Sequence, residues 1–135
     1  MRSDDAAVAS TSEDPDELVQ VELTLEERQM LSIGLNDWGG PAYGSEPLAQ
    51  AMGFEDLDNL CEESQLLSSA IRDRRVLSRR DWTRAMVATE IAFVSALGTG
   101  CGTWETIHGG RAEGWFTVLL RLQSKVRARR TFLPS

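Results

Sequence analysis

The chain has 135 residues, 41% of them hydrophobic, and a formal net charge of −7. This length predicts one domain, and this composition suffices for a single core and excludes a wholly disordered or fibrous protein. No run approaches the roughly 18–20 consecutive apolar residues of a membrane span. The first 17 residues contain neither the apolar segment of a secretory signal nor an Arg-rich amphipathic pattern, so we expect a cytoplasmic protein.

The charge is distributed unevenly along the chain. Residues 1–63 carry 16 acids and 2 bases, whereas residues 64–135 carry 5 acids and 12 bases. One interpretation is that the two halves pack together and neutralise each other. The other is a dipolar surface that binds a charged partner.

Three regions are predicted along the chain. Residues 1–17 hold six acids and no apolar period, which predicts a disordered acidic tail. Residues 18–130 are predicted to form a single helical domain, and 131–135 a C-terminal tail. Leu18 to Leu23 partly alternates apolar and polar residues, but no second strand signal is convincing. We therefore expect this segment to be extended chain lying on the helices.

The first two helices are predicted from their end signals. Thr24 and Glu27 form a T-x-x-E capping box, and Gly39-Gly40-Pro41 ends the helix that follows. A short second helix is capped by Ser45 and stops at Gly53.

The third and fourth helices carry the strongest patterns. The third runs from about Asp56 to Arg74 with an apolar stripe at helical spacing. The fourth runs over about 78–97, with Ser78 as its N-cap and Leu77 and Trp82 placed to form a hydrophobic staple. Because this helix is apolar nearly all round, we expect other helices to surround it.

The last helix is predicted from about Ala112 to Arg130, after a glycine-rich segment that includes one possible helical turn from Thr103 to His108. Together these elements predict a mainly α fold: a single compact bundle of about five helices around a buried central helix.

Glu90 is the most interesting single residue, because it is the only charge between Arg84 and Glu105 and lies on the predicted central helix. An unpaired buried carboxylate is costly, so Glu90 is expected to be protonated, paired or hydrogen-bonded. It is either a structural partner or a weak candidate for general acid/base catalysis.

The glycine-rich segment from Gly98 to Gly110 is the other candidate region. Its glycines follow a helix rather than a strand, so they do not form a dinucleotide loop. His108, the only histidine, lies here and is a second weak catalytic candidate. Cys61 and Cys101 lack metal-ligand spacing, so we expect no metal and no cofactor. No Ser, Cys or Thr lies in a recognised nucleophile motif, since G-x-S-x-G is absent.

An Arg-rich turn spans residues 72–84 and includes Arg75, Arg79 and Arg80. Such a run suits phosphate or nucleic acid, but nearby Asp residues and the acidic first half favour pairing within the protein. The four Trp residues lie near helix ends or turns, where packing explains them; an exposed pair would mark a binding surface.

No resemblance to a known family is evident, and three functions stay open. The first is a non-enzymatic protein-interaction module of the immunity, antitoxin or adaptor type, acting by surface complementarity. Its acidic face would meet a basic protein through Asp56, Asp58, Glu62 and Glu63. The second is a small enzyme or ligand-binding protein with a pocket lined by Glu90, Trp104 and His108. The third, which the net charge disfavours, is a nucleic-acid-binding regulator using the Arg-rich turn.

Overall fold

The structure, a computed structural model, describes residues 14–39, 44–98 and 103–127. Its elements in chain order are β1 (Leu18–Val19), α1 (Leu25–Asn36), a 3-10 turn (Asp37–Gly39), α2 (Glu46–Ala51), α3 (Leu57–Arg72), β2 (Leu77–Ser78), α4 (Arg79–Gly98), α5 (Thr103–His108) and α6 (Ala112–Val126). The helices pack on one another, which confirms the predicted mainly α bundle.

Helices α1, α2 and α4 begin where the capping signals at Thr24, Ser45 and Ser78 predict. The Thr24 hydroxyl accepts from the Glu27 backbone N–H at 3.2 Å, and the Glu27 carboxylate accepts from the Thr24 N–H at 2.9 Å. Asp56 caps α3, and the Ser78 hydroxyl accepts from the Asp81 backbone N–H at 3.1 Å at the start of α4. Each of these bonds satisfies a backbone donor that the first turn leaves without a partner.

The core lies between α1, α3, α4 and α6. Helix α4 packs against α1, α3, α5 and α6, as its all-round apolar pattern predicts. It shares the centre with α1, whose Met30, Leu31 and Leu35 are fully buried. Trp38, just after α1, donates its indole N–H to the Ala88 carbonyl of α4 at 3.0 Å. This bond ties the end of α1 to the middle of α4.

The N-terminal segment has a strand partner that sequence reasoning missed. Leu18 and Val19 pair antiparallel with Ser78 and Leu77. A two-residue strand is too short to show the alternation of apolar and polar residues that identifies a strand, so β2 could not be recognised in the residues just before α4.

The acidic stretch 14–17, which we expected to belong to the tail, is instead held against the start of α4. The Arg79 backbone N–H donates to the Glu17 carbonyl at 2.9 Å, and the Arg79 guanidinium donates to the Glu17 carboxylate at 2.7 Å. Arg80 donates to Asp16 at 2.6 Å. The opposite charges of the two segments therefore meet, which is one case of the predicted neutralisation between the halves.

A buried carboxylate links α1 to α6. The Glu27 side chain is only 1% exposed, and the Lys125 ammonium donates to it at 2.6 Å. The Arg121 guanidinium lies 3.4 Å from its other oxygen. Burial alone would raise the pKa of Glu27, but the combined effect of Lys125, the Thr24 backbone N–H and Arg121 lowers it.

Some predicted features lie outside the described residues. They are residues 1–13 of the predicted acidic tail, Gly40 and Pro41 of the first helix stop, residues 99–102 of the glycine-rich segment with Cys101, residues 128–130 of the predicted last helix, and the C-terminal tail at 131–135.

Candidate functional sites

A cleft of about 310 Å³ opens between α1 and the corner that joins α5 to α6. Pockets of a few hundred Å³ are the usual size for small-molecule sites. The residues lining the cleft are Glu26 and Gln29 of α1, and His108, Gly109, Gly110, Arg111, Gly114, Trp115 and Val118. Of the predicted site residues, His108 lines this cleft.

His108 is oriented by a carboxylate that the sequence did not point to. Its Nε2 lies 3.0 and 3.1 Å from the two carboxylate oxygens of Asp37, which is 6% exposed. Burial raises the pKa of the Asp37 carboxyl, although contact with His108 acts in the opposite direction. An ionised carboxylate only accepts, so Nε2 carries the proton, and Nδ1 keeps a lone pair or, in the imidazolium, a second N–H.

Two tryptophans lie near His108: Trp104 packs against its ring, and Trp115 packs against Trp104 and lines the cleft. The Trp104 ring is fully buried, 4.7 Å from the His108 ring and 5.7 Å from the Trp115 ring between centroids. The Trp115 indole N–H donates to the Gly109 carbonyl at 2.7 Å. Trp104 is therefore part of the core rather than of the cleft wall, and Trp115, which is half-buried, supplies the aromatic wall.

Glycines shape the turn that carries these groups. Gly109 and Gly110 have φ values of 80° and 73°, a region that disfavours side chains. A Cβ at Gly110 would lie 3.1 Å from the Trp115 Nε1 atom. The Glu105 carboxylate accepts a hydrogen bond from the Ala112 backbone N–H at the start of α6. The sequence identified the glycines as a break, and the structure adds that they let α5 and α6 meet at the cleft.

Glu90 lies elsewhere. Its carboxylate accepts from the Gln123 side-chain amide of α6 at 2.7 Å, and it does not line the cleft. The cleft beside His108 is therefore not the expected pocket lined jointly by Glu90, Trp104 and His108, and that pocket stays a prediction. Glu90 and Gln123 are both half-buried, and each gives the other a hydrogen-bond partner.

The acidic residues of α3 are exposed. Asp56 caps the helix at the Asn59 backbone N–H, at 2.7 Å. Asp58 and Glu62 are exposed and Glu63 is partly so, and none of these three carboxylates forms an ion pair or hydrogen bond within the part of the chain that the structure describes.

The Arg-rich turn is partly directed inward. Arg79 is buried against Glu17, and Arg80 pairs with Asp16. Arg84 donates to the Gly53 carbonyl at 2.8 Å and lies over the Phe54 ring at 5.1 Å. Arg75 is exposed and lies 3.4 Å from Asp73. Half of the six arginines are therefore engaged within the protein, whereas Arg72, Arg74 and Arg75 are exposed.

Sequence reasoning missed Asp37, Gln29, Arg111 and Trp115 as site residues. Asp37 and His108 are 71 residues apart, and no local pattern joins them. The feature of the sequence that did point to this cleft is the Gly109-Gly110 turn, because glycines allow other groups to approach the backbone closely.

No group of three His, Cys, Asp or Glu side chains that could hold a metal ion occurs among residues 14–39, 44–98 and 103–127. In the same described ranges, no helix combines the length and the apolar character that crossing a membrane requires. The chain matches no family model, no curated protein and no solved structure.

Proposed function

We propose that this protein is a protein-interaction module that binds a basic protein partner through the exposed face of α3. The observation that carries the proposal is a contrast between the bases of α4 and α6, which are paired with acids of the same chain, and the carboxylates of α3, which are not. The bases at the start of α4 and along α6 are matched by Asp16, Glu17, Glu26 and Glu27. The carboxylates of α3 have no such match.

The acidic face has a regular geometry. Asp58, Glu62 and Leu66 are spaced four residues apart, so they follow one line along α3. All three are exposed, and Leu66 is 61% exposed although it is a large apolar residue. Two carboxylates followed by a leucine suit a partner surface in which basic side chains flank an apolar contact.

The charge arrangement costs stability in the free protein. Like charges at i and i+4 of a helix repel one another by about 0.2–0.5 kcal/mol. A basic partner relieves that repulsion, and its attraction speeds encounter and weakens as salt screens it. Binding of this kind is therefore expected to be salt-dependent.

The test uses a charge reversal on this face and a matched reversal elsewhere. The full chain is used to capture partners at low and at moderate salt from the cells that produce it. The same is done with Glu62→Lys and with Glu22→Lys, because Glu22 is also exposed and forms no ion pair in the described residues. We expect a basic protein that is retained by Glu22→Lys and lost by Glu62→Lys.

Folding does not confound this comparison. Glu62→Lys replaces a repulsive pair with an attractive one at Asp58, so its free energy of unfolding should rise by a few tenths of a kcal/mol. Recovery of no partner at low salt, or of one that Glu62→Lys still binds as tightly, contradicts the proposal.

A further inference from the structure

The cleft beside His108 holds polar groups that the fold leaves available. Asp37 engages Nε2 of His108, whereas Nδ1 has no hydrogen bond in the described residues. Among the residues that the structure describes, the ion-pair partner of the Arg111 guanidinium is Glu113, at 3.5 Å, and both side chains of this pair are exposed. A guanidinium offers five N–H donors, so most of those of Arg111 are free to bind a ligand.

The balance of charge in the cleft favours an anion. Glu26 is the one acid among the described residues that line it, and the Arg121 guanidinium lies 3.1 Å from that carboxylate. Asp37 is buried behind the histidine. What remains for a ligand is the guanidinium of Arg111 and the imidazole of His108, both of which line the cleft. An anion would therefore find its counter-charge here.

The shape of the cleft favours a flat ligand. Trp115 is fixed by its bond to the Gly109 carbonyl and by its edge contact with Trp104, so its ring is a rigid wall. A Cβ added at Gly109 or at Gly114 would meet no atom within 4 Å, which means that the space beside these residues is open. Rigid aromatic side chains bind planar groups at little cost in conformational entropy.

We propose that this cleft binds a small aromatic carboxylate, with the carboxylate held by Arg111 and His108 and the ring against Trp115. The guanidinium matches a carboxylate with two parallel hydrogen bonds. The imidazolium form of His108 adds an N–H at Nδ1, held in place by Asp37. This site is independent of the α3 face and of its partner.

The test titrates the full chain with benzoate, with benzamide and benzylamine as neutral and cationic probes of similar shape. Binding is followed by chemical shifts of the Gly109 and Gly110 amides and of the Trp115 indole. Benzoate should shift these signals, and its affinity should exceed that of benzamide and of benzylamine at least tenfold.

Two variants and one control assign the site. Arg111→Gln should weaken benzoate binding about tenfold, the loss expected for a charged hydrogen bond. Arg127→Gln makes the same charge change on an exposed residue just after α6 and should have no effect. Gly114→Met should block binding without unfolding the protein, because its side chain enters open space. Equal binding of benzoate and benzamide, shifts outside the cleft, or undiminished binding by Gly114→Met would overturn the proposal.

Discussion

Replacing Gly34 by alanine is expected to destabilise the protein, although alanine is the better helix former. Gly34 lies in α1 against α4. A Cβ there would lie 2.7 Å from Thr89 Cγ2, 2.8 Å from Thr89 Oγ1 and 2.9 Å from Thr89 Cα. Carbon atoms in contact prefer about 3.5–4.0 Å, so the overlap is on the order of 0.6–1 Å. Because one of these atoms is backbone, a rotamer change of Thr89 does not remove the clash.

The magnitude follows from two opposing terms. Alanine in place of glycine gains about 1 kcal/mol in a helix interior, and overpacking a core costs about 1–3 kcal/mol or more. Because α1 and α4 form the centre of the core, the second term should win, with a net loss of about 1–2 kcal/mol. In urea unfolding, this loss of stability should appear as a lower midpoint concentration, with an unchanged dependence of the free energy of unfolding on urea.

Gly114→Ala is the matched control, because a Cβ there meets nothing within 4 Å. The same change in α6 should raise stability by up to about 1 kcal/mol. Thr89→Ala should rescue Gly34→Ala only in part, since the Thr89 Cα remains 2.9 Å from the new Cβ. If Gly34→Ala were as stabilising as Gly114→Ala, the close approach of α1 and α4 would be refuted.

Three further predictions concern the buried carboxylates of Glu27 and Asp37. Lys125→Met should cost about 1.5–3 kcal/mol, because it removes the ammonium and leaves the buried Glu27 carboxylate with only the Thr24 N–H and Arg121, and adding Glu27→Gln should recover part of the loss. Glu27, whose folded pKa is lowered from 4.5, contributes stability that is present above pH 4.5 and is lost as the pH falls through the folded pKa. Asp37 has the opposite sign: its folded pKa is raised from 3.8 by burial, so its contribution falls as the pH rises from 3.8 through the folded pKa. Urea unfolding over the acidic range should show each slope disappear in Glu27→Gln and Asp37→Asn respectively.

These outcomes are separable. Additive losses in Glu27→Gln and Lys125→Met would show that the 2.6 Å contact is energetically unimportant. If the free energy of unfolding of Asp37→Asn depended on pH as that of the unchanged protein does, burial would not be raising the pKa of the Asp37 carboxyl.

Part of the candidate cleft was predictable from sequence. The segment between α5 and α6 could be recognised, because the sequence places two glycines directly after the single histidine, His108. Asp37 was not predictable, since its role depends on the end of α1 meeting the end of α5. Glu90 was predicted to be paired or hydrogen-bonded, and the structure gives its partner as Gln123, on a helix whose register relative to α4 is set by packing.

The sequence by itself determined where the helices begin and which faces they bury. Caps such as Thr24 and Ser78 act within four residues, and apolar periodicity is a property of the single helix. Only the tertiary structure decided which charges meet and which remain exposed. Glu27 and Asp58 are both acids near the start of a helix, yet one is buried beside Lys125 and the other faces solvent. Nothing in the sequence around Gly34 explains a glycine inside a helix. The explanation is the close approach of Thr89, which lies 55 positions further along the chain. Side-chain charge and size are written in the sequence, but the energy of an ion pair or a close approach depends on distance and burial, which arise when the helices pack.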